Sequence, residues 1–183
     1  MSQKNMCSLN EFAEPIYSFE QVVDAVSNLA ADINQALPGQ EPLLVLCLLN
    51  GGLVFTGQLL PHLTRPVELS YVHATRYHNN VAGAQLRWIT PQHANIQGKH
   101  ILLCDDIFDE GKTLHAVYQE LMQQGACSVH CAVMTTKDHP RKPVDFRPEF
   151  SALNVPDRYV FGMGMDYSGL WRNAPGIYAV KGL

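Results

Sequence analysis

The densest chemistry in this chain lies between residues 101 and 114, Ile101-Leu102-Leu103-Cys104-Asp105-Asp106-Ile107-Phe108-Asp109-Glu110-Gly111-Lys112-Thr113-Leu114. Four apolar residues run into two adjacent aspartates. A short loop adds Asp109 and Glu110, and Gly-Lys-Thr follows. Asp105 and Asp106 are hard oxygen groups suited to ribose hydroxyls, or to Mg²⁺ directly or through them. Gly111, Lys112 and Thr113 offer successive backbone N–H groups, a hydroxyl and a cation, which at a helix N-terminus form a phosphate cradle. Both halves together suit a phosphorylated sugar.

Such a loop needs a strand behind it and a helix ahead. The run from Ile101 to Cys104 has the pattern of a strand buried on both faces, and residues 115–124 continue a helix that Gly125 stops. That arrangement sets the carboxylates at the carboxyl edge of a sheet, where ligands bind in open α/β folds. Gly-Lys-Thr also ends the nucleoside-triphosphate loop G-x-x-x-x-G-K-[ST]. Here Asp106 stands at the place of its first glycine, so that wrapped loop is disfavoured.

The stretch resembles the diphosphosugar signature of the type I phosphoribosyltransferases: an apolar strand, two acidic residues, two apolar residues, then Asp/Glu-x-Gly-x-Thr. Every position is filled. The resemblance extends over roughly residues 15–180. It implies an α/β fold, a central mostly parallel sheet flanked by helices, with a small hood and a flexible lid hairpin. It further implies that Asp105 and Asp106 hold the ribose hydroxyls and a metal. Glu110, Gly111, Lys112 and Thr113 would bind the 5-phosphate, and Asp109 would be the general base.

The rest of the chain supplies elements in the order this fold requires. Ser18-Phe19-Glu20-Gln21 has the form of a capping box, and apolar residues recur helically from Val22 to Leu37 before Pro38-Gly39. Leu43–Leu49 predicts a buried strand, followed by Asn50-Gly51-Gly52 and a helix from Leu53 to about His62. Paired glycines after a strand permit a tight turn with exposed amides. In the resembling hypoxanthine–guanine enzymes this place carries Leu-Lys-Gly-Gly, whose backbone holds pyrophosphate and whose peptide is cis. Leu49-Asn50-Gly51-Gly52 matches, with Asn50 in place of the lysine, so a cation is lost.

Val67–Ala74 predicts another strand, Thr75–Ala84 is polar, and Gln85–Ile89 returns as a strand. The family's lid carries Ser-Tyr here; this chain has Arg76-Tyr77. A lid keeps water from the sugar cation. Ser128–Thr135 predicts a strand with Lys137 just past its end, where the family's lysine reads the 6-oxo group of a purine. Asp138–Pro156 reads as a loop with Pro140, Pro143, Pro148 and Pro156. The run Pro156-Asp157-Arg158-Tyr159-Val160-Phe161-Gly162-Met163-Gly164-Met165-Asp166-Tyr167 resembles the purine-specificity segment of the 6-oxopurine branch. By that resemblance Tyr159 stacks on the base and the Val160 backbone meets its edge. Asp166, beside the base, holds a Mg²⁺ carrying pyrophosphate, and Arg172 reaches the pyrophosphate.

Composition bounds the reading. At 183 residues, 46% apolar and 16% charged, one phosphoribosyltransferase domain spanning 1–183 is expected. A net charge of −4 gives no large drive toward nucleic acid or an anionic membrane. The N-terminus lacks the apolar core of a signal peptide, and no apolar run is long enough to span a bilayer. Five cysteines without a C-x-x-C pair fit reduced cytoplasmic thiols, and eight histidines without metal spacing read as surface or packing residues. The expected partners are phosphoribosyl pyrophosphate and a 6-oxopurine base, the cofactor Mg²⁺, and the assembly a homodimer or homotetramer. The rival readings are a phosphoribosyl-pyrophosphate-sensing regulator that binds nucleic acid, and a transferase preferring xanthine.

Overall fold

The computed structural model of the chain describes residues 9–76, 86–90, 95–141 and 146–182. Its elements in chain order are α1 (Leu9–Phe12), β1 (Ala13–Ser18), α2 (Phe19–Ala36), β2 (Leu43–Leu48), α3 (Gly52–Leu59) with a 3-10 turn (Leu60–His62), β3 (Val67–Arg76), β4 (Leu86–Thr90), β5 (His100–Phe108), α4 (Lys112–Gln123), β6 (Ser128–Lys137), β7 (Phe150–Val155), β8 (Val160–Phe161) and β9 (Gly176–Val180).

Six strands form one sheet in the order β4-β3-β2-β5-β6-β7. Five of them run parallel, and β4 pairs antiparallel with β3 at the edge. The parallel strands are apolar on successive residues because both faces are covered. Leu43 and Val45 of β2 and Leu102 and Cys104 of β5 point into one core with Val26, Phe55 and Leu59 of α2 and α3. Leu44, Leu46, Ile101 and Leu103 point the other way, onto Leu114, Val117 and Leu121 of α4. Each fully buried leucine contributes about 1.5–3 kcal/mol, and truncating Leu102 to alanine would cost roughly 2–5 kcal/mol.

From β2 the chain builds outward through β3 and β4, then returns to place β5 on the other side of β2. The strand order therefore reverses between β2 and β5. Loops leaving the carboxyl ends of those two strands diverge there and leave a crevice, which is where ligands bind in such sheets. A second, three-stranded antiparallel sheet, β1-β9-β8, forms the hood. It packs an aromatic cluster of Phe12, Phe161, Tyr167, Trp171 and Tyr178.

The capping box is formed: Ser18 accepts from the Gln21 N–H, and the Ser18 N–H donates to Gln21 at 2.8 Å. The loop expected over Asp138–Pro156 is corrected. It contains β7, an edge strand paired parallel with β6. Its sequence, Phe-Ser-Ala-Leu-Asn-Val, is buried only at its two ends, so it lacks the apolar run of a central strand. β6 extends to Lys137 rather than ending at Thr135. The elements β1 and β9, not anticipated from sequence, owe their pairing to each other across most of the chain.

Candidate active site

The crevice between β2 and β5 opens into a cleft of about 700 Å³ lined by Gly51, Asp105, Asp106, the loop from Asp109 to Thr113, Asp166 and Arg172. A smaller recess of about 280 Å³ adjoins it, walled by Lys137, Tyr159 and Val160. Asp106, Ile107, Asp109 and Asp166 line both. The site is thus two lobes that meet at the acidic loop.

Strand alternation sends the two aspartates apart. Asp105 continues the α4 side of β5 and Asp106 the α3 side. The Asp106 N–H donates to Asp105 Oδ1 at 2.9 Å. Thr135 of β6, fully buried, donates its hydroxyl to the Asp106 carbonyl at 3.0 Å. Burial raises both carboxyl pKa values. For Asp105 the adjacent Asp106 adds to the rise; for Asp106 several hydrogen bonds and the Arg172 charge oppose it without cancelling it. Such a pair binds ligand hydroxyl groups well, because their donors offset the desolvation of the carboxylates.

The glycines of this region are set by close approach. A Cβ on Gly51 would stand 1.8 Å from Asp106 Oδ2, and one on Gly164 would stand 2.3 Å from the Gly51 carbonyl oxygen. Loop, β5 and hood therefore touch through glycine. The Leu49–Asn50 peptide is cis. Gly111 has φ +72, and a Cβ there would meet the Phe108 ring at 2.0 Å. This left-handed residue turns the chain into α4, leaving the first amides of the helix without intrahelical acceptors. Gly111, Lys112 and Thr113 line the cleft, and Lys112 pairs with Glu110.

Asp109 sits where the lobes join. Phe108 pairs with Thr136, so the next residues, Asp109 and Lys137, come together across β5 and β6. Lys137 Nζ donates to Asp109 Oδ2 at 2.7 Å, and His139 Nε2 lies 2.5 Å from Oδ1. Burial raises the Asp109 pKa, but the hydrogen bonds from Lys137 and His139 and the Lys137 charge outweigh it and hold the carboxyl below its ordinary range. Across the cleft, Arg172 donates to Asp166 Oδ1 and to the Gly164 carbonyl, both at 2.6 Å.

The profile of the phosphoribosyl transferase domain matches residues 13–168. This chain belongs to the phosphoribosyltransferase family. It is 27% identical over 173 residues to a hypoxanthine-guanine phosphoribosyltransferase of Streptococcus pneumoniae, covering 94% of this chain and 95% of that one. It is 25% identical to the hypoxanthine-guanine-xanthine phosphoribosyltransferase of Tritrichomonas foetus, over 94% of each chain. Among solved structures, a hypoxanthine-guanine phosphoribosyltransferase of Bacillus anthracis superposes with a TM-score of 0.83 at 27% identity, covering 92% of this chain and 98% of that one.

Within this phosphoribosyltransferase, Asp105, Asp106, Asp109, Glu110, Gly111, Lys112, Thr113, Gly51, Asp166 and Arg172 share the larger cleft, while Lys137, Tyr159 and Val160 line the smaller one. Asn50 is exposed at the turn after β2. Of the lid pair, Arg76 ends β3 and Tyr77 lies outside the described residues. The antiparallel β3–β4 pairing is the base of the expected hairpin.

Two residues of the site were not anticipated. Thr135 looked like an ordinary strand residue. His139 was read with the other histidines as surface or packing; its side chain is fully buried, and its ring lies against Asp109. Its place two residues after Lys137 and before Pro140 was the available signal.

Proposed function

We propose that this phosphoribosyltransferase acts in purine salvage. It would transfer the 5-phosphoribosyl group from phosphoribosyl pyrophosphate to N9 of hypoxanthine or guanine, giving IMP or GMP and releasing pyrophosphate. The observation that carries this reading is Asp109, a carboxylate kept anionic at the junction of a phosphate-and-ribose lobe and a flat recess bearing Lys137 and Tyr159. The names of the relatives support the same substrates.

The residues then divide the work. The amides of Gly111 to Thr113 and the Lys112 cation hold the 5-phosphate, and Asp105 and Asp106 accept from the ribose hydroxyls. Asn50, Gly51 and Arg172 face the pyrophosphate. Tyr159, 43% exposed and edge-on to Tyr167, offers its ring to the base. The Val160 backbone meets the purine edge, and Lys137 donates to the 6-oxo oxygen. N9 attacks C1 of the ribose as the C1–oxygen bond to pyrophosphate breaks, through an oxocarbenium-like state. Asp109 takes the N7 proton as N9 attacks. Arg76 and Tyr77 belong to the lid that excludes water.

Mg²⁺ is part of the proposal. Among the described residues no group of three or more His, Cys, Asp or Glu side chains is arranged to hold a metal by itself. The carboxylates lining the cleft suit Mg²⁺, which commonly takes one or two of them plus substrate oxygens. Asp105 and Asp106 on one wall, and Asp166 on the other, are the residues that would hold it. When bound, Mg²⁺ offsets charge building on the leaving pyrophosphate.

The proposed unit is a single domain over 1–183 acting in the cytoplasm, with no nucleic-acid or membrane partner. Cys47, Cys104 and Cys131 are buried and unpaired, and no described helix is long and apolar enough to cross a membrane. Self-association as a dimer or tetramer is included. Leu69 and Tyr71 on the α3 face of β3, and Leu53 on α3, leave apolar surface exposed.

A base panel tests the function. Protein, Mg²⁺ and phosphoribosyl pyrophosphate are mixed with hypoxanthine, guanine, xanthine or adenine, and nucleotide is followed by ultraviolet absorbance. Product with hypoxanthine and guanine and little with adenine is expected. Xanthine as the best substrate would favour the activity named for the Tritrichomonas relative, and no product with any base would overturn the reading.

A further inference from the structure

Among the described residues, two side chains donate to the Asp109 carboxylate: Lys137 to Oδ2 and His139 to Oδ1. They differ in what they can do next. Lys137 borders the base recess and is drawn toward a 6-oxo group when a purine enters. His139 cannot follow. Its side chain is fully buried, and its ring is fixed from behind, because the Arg141 N–H donates to Nδ1 at 3.1 Å. A ring nitrogen that accepts a hydrogen bond carries no proton. The imidazole proton is therefore on Nε2, aimed at Asp109 Oδ1. Arg141 is itself anchored by two hydrogen bonds to Asp157, at 2.8 and 2.7 Å, two residues before Tyr159.

We infer that His139 is a positioning residue for the transfer: as the neutral Nε2–H tautomer it holds Asp109 Oδ1, so that Oδ2 alone faces the purine when Lys137 turns to the base. The inference rests on the reaction proposed above. A carboxylate has a broad, two-fold torsion at its terminal bond. Once Lys137 leaves, His139 is the remaining described side chain that stops Asp109 from turning. A neutral donor suits this task, since it orients the oxygen without the full charge of a second lysine, which would weaken the base. The Arg141–Asp157 pair extends the same support to the wall that carries Tyr159.

The experiment compares the full-length wild type with three variants, following kcat and both KM values. Nitrogen-correlated NMR of the imidazole accompanies the wild type, and thermal melting of every protein checks folding. Wild type should show the neutral Nε2–H tautomer. His139→Phe keeps a ring and loses the donor; kcat should fall about 10- to 100-fold, the scale of a small misplacement of a reacting group, with KM for base and for phosphoribosyl pyrophosphate nearly unchanged. His139→Gln places an amide donor where Nε2 stood and should recover most of the loss. If His139→Phe does not fold, His139→Asn decides, since it keeps an acceptor for the Arg141 amide but no donor long enough for Asp109. It should lose kcat as the phenylalanine variant does. An Nδ1–H tautomer, unchanged kcat in the donor-less variants, or no recovery with glutamine overturns the role of His139 while the reaction stands. A wild type that forms no nucleotide overturns both.

Discussion

Lys137 Nζ lies 2.7 Å from Asp109 Oδ2, so the proposed reader of the base is bound to the proposed acceptor of its proton. In the proposed reaction, base binding would do two things at once. The 6-oxo group would take the ammonium, and Oδ2 would be released to face N7. Asp109→Asn should lower kcat about 10²–10⁴-fold, the usual worth of general-base help. Binding of phosphoribosyl pyrophosphate, measured by calorimetry, should change little. Wild-type turnover in that variant would remove Asp109 from the mechanism.

Lys137→Ala should raise the KM for hypoxanthine more than that for phosphoribosyl pyrophosphate, and should narrow the discrimination against adenine. Adenine presents an amino donor to an ammonium donor, a clash the alanine cannot make. The same change removes a hydrogen bond that lowers the Asp109 pKa. A lowered carboxyl favours folding above its unfolded pKa, and that contribution is lost as pH falls through the folded value. In activity, the acid limb of kcat/KM for the base, which reports the free enzyme, should lie below the ordinary aspartate range in wild type and move to higher pH in Lys137→Ala. Profiles that superpose would contradict the pairing.

Asp105→Asn should stabilise the empty protein while impairing it as an enzyme. Burial beside Asp106 raises the Asp105 pKa, so the native state binds a proton more tightly than the unfolded chain. Stability contributed this way is full below the unfolded pKa and is lost as pH rises to the folded value. At neutral pH the asparagine variant should gain about 0.5–2 kcal/mol, read as a higher melting temperature, and its oxygen can still accept from the Asp106 N–H. The gain should shrink as pH is lowered toward the ordinary carboxylate range. An equal gain at every pH would point to packing instead.

Gly51→Ala should damage both fold and site. Its methyl would need the space of the Asp106 carboxylate, whose Oδ2 lies 1.8 Å away. Overpacking of this kind costs about 1–3 kcal/mol. The melting temperature and kcat/KM should fall together. A variant that melts as wild type yet keeps full activity would mean that the Asp106 side chain moves aside freely.

Asn50→Lys should restore the cation that the resembling enzymes carry at the exposed turn after β2. An added charge-assisted hydrogen bond to pyrophosphate contributes about 1.5 kcal/mol, roughly tenfold in affinity. Product inhibition by pyrophosphate, measured on both proteins, should strengthen accordingly. No change would assign the pyrophosphate chiefly to the backbone amides and Arg172.

Much of this molecule was legible from residue order because its information is local. Ile101 to Cys104 has the pattern of a strand covered on both faces, and Ser18 with Gln21 the form of a helix cap. A strand that ends in Asp-Asp and a glycine that opens a helix put carboxylates and amides at the same sheet edge wherever the sheet lies. The family signature, the purine-side run around Tyr159 and the substitution at Asn50 were likewise readable in the chain itself. β7 was hidden because an edge strand needs little apolar sequence, and the prolines flanking it, Pro148 and Pro156, suggested a loop.

What only the tertiary structure decided depends on register between distant strands. Phe108 opposite Thr136 is a property of the β5–β6 ladder, and it brings Asp109 to Lys137 across 28 residues of sequence. The sequence around His139 does not show that its partner is Asp109, 30 residues earlier; the close of β6 beside β5, and the Arg141 amide behind the ring, turn a scattered histidine into a fixed donor. The contact of Gly164 with Gly51 is of the same kind, since hood and β2 meet only after the sheet has formed. Propensity and hydrophobic pattern act over a few residues and fix elements. Hydrogen-bond partners, burial and pKa shifts act over a few ångströms, and those neighbours exist only once the chain has closed.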